Sequence, residues 1–378
     1  MGVSSQACSD ASVAAFQGIF KLIEGAHRIA ISGHTAPDGD ALGCVLGLGL
    51  AIRERYPEKD VSFLLADDAP VPRILAFMAG ADELTPACRY QGSPDLFISV
   101  DVPTVERLKD AGLVLLRSRH VACFDHHPAR QEFADIAVRR TDCAACGVII
   151  ERFLAATGFT LTSDVATCLL CGIVTDTGRF QYQNADPLAF HVASKLVAHG
   201  AEPARIALEV YQSQRLEYLH LESVVMGRIA SLAHGRVAYS YSFAGDLARF
   251  GVGMDECDGL VDVVRSVGGV EVCLFLKEAP GGGEVRGNLR SKGPLSVSGI
   301  AERFGGGGHA AAAGFTYHGT VAQALDEILP LLVQLVGEDP TGVCCQALPD
   351  GRLVPFRSTA VGRTSMLSAG NTGMFPRP

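Results

Sequence analysis

Asp125, His126 and His127 stand together in the run VACFDHHPAR, after four mostly apolar residues and before a proline. The apolar run predicts a buried strand, and Pro128 stops it. An acid and two imidazoles then sit at a strand's carboxyl end, where open α/β sheets collect their ligands. Three other stretches repeat the pattern. HTAPDGDALG carries His34, Asp38 and Asp40, FISVDVPTVERL carries Asp101, and GIVTDTGRFQY carries Asp176. Each has a plain alternative: an Asx turn or helix cap for the first two, a helix terminus with a glycine cap for the last. Together they bring five aspartates and two or three imidazoles to one edge of one sheet. Unpaired, those carboxylates would repel strongly, and a bound dication relieves the conflict. Carboxylate with imidazole suits Mn²⁺, Mg²⁺, Fe²⁺ or Zn²⁺, and no cysteine belongs to the set. Five carboxylates exceed what one ion needs. Two ions sharing a carboxylate are the economical solution, and that arrangement suits hydrolysis at phosphorus.

A second group of residues lies far downstream. RFGGGGHAAAAGF places Gly305, Gly306, Gly307 and Gly308 before His309. A glycine run is costly to order, but it exposes consecutive amides that can form an anion-binding nest. His309 at its end is a donor for a phosphate oxygen. In GNLRSKG, Arg290, Ser291 and Lys292 form a short polar, cationic strand end suited to phosphate or carboxylate. The apolar AAAAGF that follows the glycines argues against a mere linker.

The elements that must position these residues alternate along the first half. A helix is predicted from about Ser9 or Asp10 to Glu24. HRIAISG, VSFLLA, DLFISVD and HVACFD read as strands, and ALGCVLGLGLAIRERY as a helix with a buried face. Strands separated by helices imply βαβ units and a parallel sheet. Helices continue to about residue 230. Beyond it RVAYSYSF, VEVCLFLKE and EVRGNLRS are strands of a smaller α+β domain, with helical segments at 258–267, 297–304 and 321–336. The expected fold is therefore α/β, with a parallel-sheet domain at 10–200, a helical linker at 201–230, a second domain at 231–338 and a mobile tail at 339–378.

Composition bounds the function. With 48% hydrophobic and 19% charged residues the chain of 378 residues is globular. A net charge of −9 disfavours a protein that grips long nucleic acid and favours a small or short substrate. No apolar run is long enough to span a bilayer and no signal peptide is evident, so a cytoplasmic location is expected. The 12 cysteines are then reduced thiols. Cys143/Cys146 and Cys168/Cys171 have zinc-ribbon spacing but lie in apolar helical runs, so core packing is expected of them. A homodimer is compatible with the sequence and not specified by it.

HTAPDGDALG, the strand-end Asp101, FDHH, TDTGRF and GGGGHAAAAGF, in that order, resemble the DHH phosphoesterases with their DHH-associated C-terminal domain. The resemblance covers about residues 10–338 and is nearest the bacterial nanoRNase/pAp-phosphatase group. It implies degradation of very short RNA or DNA oligonucleotides and removal of the 3′-phosphate from 3′-phosphoadenosine 5′-phosphate (pAp). It also implies two divalent ions, Mn²⁺ first, with Mg²⁺, Co²⁺ or Fe²⁺ as substitutes. By the same resemblance His34 and Asp38 hold one ion, Asp40, His126 and Asp176 the other, and Asp101 bridges them. Asp125 orients the ligands, His127 faces the phosphate, and a metal-bridging hydroxide attacks phosphorus. Arg290, Ser291, the glycine run and His309 hold the nucleotide end. Arg179 is left between contacting phosphate and pairing with an acid. The alternatives are a phosphodiesterase of cyclic or linear dinucleotides (cyclic di-AMP, pApA or pGpG) and a non-catalytic nucleotide-binding regulator.

Overall fold

The computed structural model describes residues 10–128, 132–348, 351–357 and 365–366. The chain divides into two units, Met1–Ser213 and Gln214–Pro378. In the first, helix α1 (Asp10–Gly25) leads into strand β1 (Arg28–Ser32), α2 (Gly39–Arg55), β2 (Asp60–Leu65), β3 (Thr85–Pro86), β4 (Leu96–Val100), α3 (Ala111–Leu116), β5 (His120–Asp125) and β6 (Ile136–Arg139). Four helices follow: α4 (Cys146–Thr157), α5 (Ser163–Asp176), α6 (Pro187–Ala198) and α7 (Pro203–Tyr211). The strands form one parallel sheet in the order β3-β2-β1-β4-β5-β6. The expected α/β class with a parallel sheet is what the first unit has.

That order sets the location of chemistry. The chain runs outward from β1 to β2 and β3, then returns to β4 beside β1 and runs the other way. The crevice between the carboxyl ends of β1 and β4 is the topological switch point, the position at which such sheets take their ligands. His34 follows β1 and Asp101 follows β4. Strand β4 is buried along its whole length, as a strand covered on both faces must be.

Helix α2 is buried on nearly every side because its glycines admit another helix. A Cβ on Gly43 would stand 2.3 Å from the Cys168 carbonyl oxygen, and one on Gly47 2.9 Å from Leu169 Cδ2. Helix α5 therefore lies almost backbone to backbone on α2. The start of α2, with Asp38 and Asp40, and the end of α5, with Asp176, serve the same site. Cys143, Cys146, Cys168 and Cys171 are buried within this unit's apolar core. Strand β6 was not anticipated from the sequence.

The second unit contains α8 (Leu216–Gly227), β7 (Ala230–Leu232), β8 (Val237–Ser242), α9 (Ala244–Phe250), α10 (Leu260–Arg265), β9 (Val272–Glu278), β10 (Glu284–Ser291), α11 (Ser298–Arg303), β11 (Gly307–His309), β12 (Ala312–His318) and α12 (Val321–Leu335). Its sheet has the order β11-β12-β10-β9-β8-β7, antiparallel except for the β8–β9 pair. Apolar side chains from both faces fill two cores, one including α12 and the other including α8 and α10. This is the expected smaller α+β domain.

The tail differs from expectation. Strands β13 (Val343–Ala347) and β14 (Leu353–Arg357) pair antiparallel, and β15 (Ser365–Met366) adds to β14. Tyr239 Oη donates to the Leu353 carbonyl at 3.1 Å, and Leu353 N donates to Tyr241 Oη at 2.6 Å. Buried phenols need hydrogen-bond partners, and this segment supplies them. A mobile tail from residue 339 is thus corrected for 343–347 and 353–357. Residues 349–350, 358–364 and 367–378 lie outside the described residues.

Candidate metal centre

Helix α2 begins at an aspartate that does two things. Asp38 Oδ1 accepts from Asp40 N and Ala41 N, both at 3.0 Å, so the residue is the helix N-cap. Its other oxygen lies 3.8 Å from His34 Nε2. His34 Nδ1 donates to the Thr35 carbonyl at 2.8 Å, which leaves Nε2 directed at Asp38 and, 3.5 Å away, Asp101 Oδ2. One ring nitrogen spent on a carbonyl and the other facing acids is the usual arrangement of a metal-binding imidazole.

Asp40 is fully buried within the first turn of α2. Its carboxylate accepts from Cys146 N at 2.5 Å and Gly147 N at 2.9 Å, and so caps α4, whose own N-cap Ala145 has no side chain to do it. His126 is buried too. Its Nδ1 lies 3.3 Å from the Cys143 carbonyl, and its Nε2 is 3.1 Å from Asp176 Oδ2, 3.3 Å from Asp101 Oδ1 and 3.9 Å from Asp40 Oδ2. Asp101 thus turns one oxygen to His34 and the other to His126. Its backbone adopts the left-handed φ of 58°, which aspartate tolerates better than most residues and which marks strain at a working site.

His127 lies one residue on. Its Nδ1 is 2.9 Å from Asp125 Oδ1, and the second Asp125 oxygen accepts from Arg139 Nη1 on the neighbouring strand β6. Asp125 is fully buried and Arg139 nearly so. The acid is thereby neutralised and fixed, and it fixes the His127 ring in turn.

Electrostatics express the crowding. Burial pushes the Asp40 carboxyl well above its ordinary range, and the charges of Asp176 and Asp101 add to this. Burial likewise takes Asp176 up to about 6, against the His126 hydrogen bond. For His34 burial acts downward, yet hydrogen bonds to Asp101 and Asp38 prevail and raise it to about 10. His126 is raised well above its usual value in the same way, by Asp101 and Asp176 over burial. Asp101 goes far down despite burial, because two imidazoles face it. The protein alone balances these charges with protons, and a dication would replace them.

The residues fit divalent ions. His34, Asp38 and Asp101 can place one ligand atom each within 4.8 Å of one another, and so can Asp40, His126 and Asp176. Asp101 Oδ1 is buried beside the His126 and His127 rings, at 3.3 and 3.4 Å, with no donor in good hydrogen-bond geometry among the described residues. Carboxylate oxygen and imidazole nitrogen are donors for Mn²⁺, Mg²⁺ and their neighbours. The sequence expectation for the six ligands thus meets a structure that gathers all six.

Three contributors were not anticipated. Arg139 has no sequence signal beyond a charge in a strand. The amides of Cys146 and Gly147 have none at all. Gly172 had one, since glycine inside a helix is destabilising unless packing requires it. A Cβ there would lie 2.4 Å from Asp40 Oδ1.

In the second unit, β10, β12 and β11 put Arg290, Ala312 and His309 in one cross-strand row, and Asn288, Gly314 and Gly307 in the next. Directly opposed residues share a face, so Arg290 and His309 stand on one side of the sheet across a floor nearly free of side chains. Ser291 alternates to the other, covered face and is 3% exposed, which sets it apart from them. The glycine run is spent differently from a nest. Gly305 N and Gly306 N donate back to the Glu302 and Ala301 carbonyls and close α11. Gly305 and Gly308 need φ of 72° and 140°, and a Cβ on Gly306 would meet the Gly314 carbonyl at 2.1 Å. Among the described residues no helix is long and apolar enough to cross a membrane.

The chain is similar to known proteins. The model of the DHH family, N-terminal domain, matches residues 28–173, and that of the DHHA1 domain matches 234–338. The chain is 28% identical over 323 residues to the bifunctional oligoribonuclease and PAP phosphatase NrnA of Thermus thermophilus, covering 85% of this chain and 93% of that one. It is 29% identical over 293 residues to the protein of the same name from Bacillus subtilis, with 76% and 88% covered. An exopolyphosphatase-related protein from Bacteroides fragilis shares the fold, with a TM-score of 0.76 at 24% identity over 86% of this chain and 96% of that one. The first match takes in the strands and most of the acids and histidines clustered at the switch point, and the second takes in most of the second unit's sheet: the chain belongs to the DHH family of phosphoesterases, with a DHHA1 domain after its DHH domain.

Proposed function

We propose that the chain is a metal-dependent phosphoesterase that hydrolyses very short oligonucleotides and removes the 3′-phosphate of pAp. The observation that carries this reading is Asp101, whose two oxygens are shared between two carboxylate–imidazole groups. His34 and Asp38 would hold one ion and Asp40, His126 and Asp176 the second, with Asp101 within reach of both groups. Mn²⁺ is the first choice, with Mg²⁺, Co²⁺ or Fe²⁺ compatible with the same donors. Two such ions supply Lewis acidity to phosphoryl oxygens and lower the pKa of water.

The chain's own residues do the rest. Asp125, neutralised by Arg139, holds His127 by Nδ1 and so orients the ring, which would bond an oxygen of the scissile phosphate. The amides of Cys146 and Gly147 keep Asp40 in place, and the carbonyls of Thr35 and Cys143 keep both ligand imidazoles in the right tautomer. In the second unit Arg290 and His309 contact the nucleotide, Ser291, next to Arg290 on the same strand, faces the covered side of the sheet, and Gly305–Gly308 give the segment its shape. The net charge of −9 favours short substrates over long ones. The names of the similar proteins from Thermus thermophilus and Bacillus subtilis support both activities.

The test gives the purified chain with Mn²⁺ a dinucleotide, a 24-nucleotide RNA, pAp, cyclic di-AMP and pyrophosphate. Fast cleavage of the dinucleotide and pAp is expected. Rapid loss of the long RNA with the dinucleotide intact would reject the reading, and preference for cyclic di-AMP would favour the cyclic-dinucleotide phosphodiesterase. Asp101→Asn should lower kcat/KM by on the order of 10²-fold or more. Its circular dichroism should not change, because asparagine also tolerates the left-handed backbone.

A further inference from the structure

Helix α5 ends at Asp176, and the chain leaves it by a strained turn. Gly178, Arg179 and Phe180 have φ of 54°, 63° and 59°, three successive residues in the left-handed region, two of them with side chains. Arg179 N donates to the Val174 carbonyl at 2.7 Å, Phe180 N to Thr177 Oγ1 at 3.1 Å and Tyr182 N to the Thr177 carbonyl at 3.0 Å. Strain of this kind persists only where the surroundings impose it, and it collects at functional sites.

Phe180 has a structural reason to be there: its ring packs on the core and stacks on Phe190 at 4.8 Å. Arg179 has none. Its side chain is exposed and makes no ion pair or hydrogen bond among the described residues, although it follows Asp176 by three positions. Its guanidinium lies 4.6 Å over the ring of Tyr211 on α7. Stacking holds the plane of the group and leaves its N–H edge free for a planar or tetrahedral oxyanion. The other guanidinium groups at the cluster are engaged, Arg139 with Asp125 and Arg107 with the Thr35 carbonyl.

We propose that Arg179, braced by Tyr211, binds the non-scissile phosphate of the substrate: the 5′-phosphate of pAp, or the adjoining phosphate of an oligonucleotide. This rests on the phosphoesterase reading above. The metal ions neutralise only the phosphate being cleaved. A second phosphate beside so many carboxylates needs a cation of its own, and Arg179 is anchored to the same helix end as Asp176.

The experiment measures initial rates of the full chain with Mn²⁺ on pAp and on two esters with a single phosphate, 3′-AMP and bis(p-nitrophenyl) phosphate. Wild type is compared with Arg179→Lys, Arg179→Gly and Tyr211→Leu. Arg179→Gly should raise KM for pAp about 10- to 100-fold, the value of a lost charge-assisted hydrogen bond pair, with a much smaller rise for the single-phosphate esters. The preference for pAp should collapse, recover in part in Arg179→Lys and fall by an intermediate factor in Tyr211→Leu. Glycine suits the left-handed backbone, so the melting temperature of Arg179→Gly should not drop. Equal losses on all three substrates, or no loss on pAp, would overturn the assignment and leave the phosphoesterase reading standing. A wild-type chain that cleaves none of them would reject both.

Discussion

Asp38 shows that capping a helix and facing an imidazole are not competing roles for one carboxylate. One oxygen closes the first turn of α2, and the other is presented to His34. Asp40 and Asp125 follow the same rule, each tied to donors that hold it in place. A pH dependence follows from this scale. In the metal-free chain His34 sits at about 10 and Asp176 at about 6, and Asp40 and His126 are also raised. Groups with raised values keep their protons at a pH where a metal needs them bare. Metal uptake must therefore release protons, and apparent affinity must rise with pH between about 6 and 8. Calorimetric titration with Mn²⁺ in two buffers of different ionisation enthalpy reads the sign. Proton uptake, or affinity independent of pH, would contradict the arrangement.

Two helices decide whether these residues meet. α2 and α5 approach through Gly43, Gly47 and Gly172, and at Gly172 the neighbour is Asp40 itself. Gly172→Ala forces a methyl group into the carboxylate. Overpacking of a core costs about 1–3 kcal/mol. The variant should therefore melt lower and bind Mn²⁺ more weakly by on the order of tenfold or more. Gly47→Ala meets the flexible Leu169 side chain, and is expected to lose stability without a comparable loss of metal. Metal titration and thermal melts of the pair separate helix packing from damage to the site.

At the scale of the whole chain, the apolar clusters are each confined to one unit. All six proposed ligands belong to the first. Ions that bind only the folded state stabilise it by mass action, about 2.7 kcal/mol at a hundredfold excess over Kd. Scanning calorimetry with Mn²⁺ and with chelator should show the first unit's transition moving up with metal and the second unit's holding still. A uniform shift of every transition would mean that the ions act elsewhere.

Much of this was legible along the chain. Asp101, His126 and Asp176 could be found because each stands at the end of an apolar run, and a strand or helix end is where a polar residue can be both fixed and accessible. The glycines before His309 were noticed as a signal, but the amides of Gly305 and Gly306 turned out to close a helix, and Gly307 and Gly308 to start a sheet strand without side chains. What sequence could not supply is everything that arrives from a distance. The amide that holds Asp40 comes from 106 residues away, and Arg139 reaches Asp125 only because β6 pairs with β5. The residue types and their local spacing determined the chemistry this protein can do, since ligand identity and strand ends are local properties. The tertiary structure alone decided which carboxylates are braced, which imidazole nitrogen faces the clustered acids and which arginine stacks on an aromatic ring, because each depends on a long-range hydrogen bond or contact that no periodicity records.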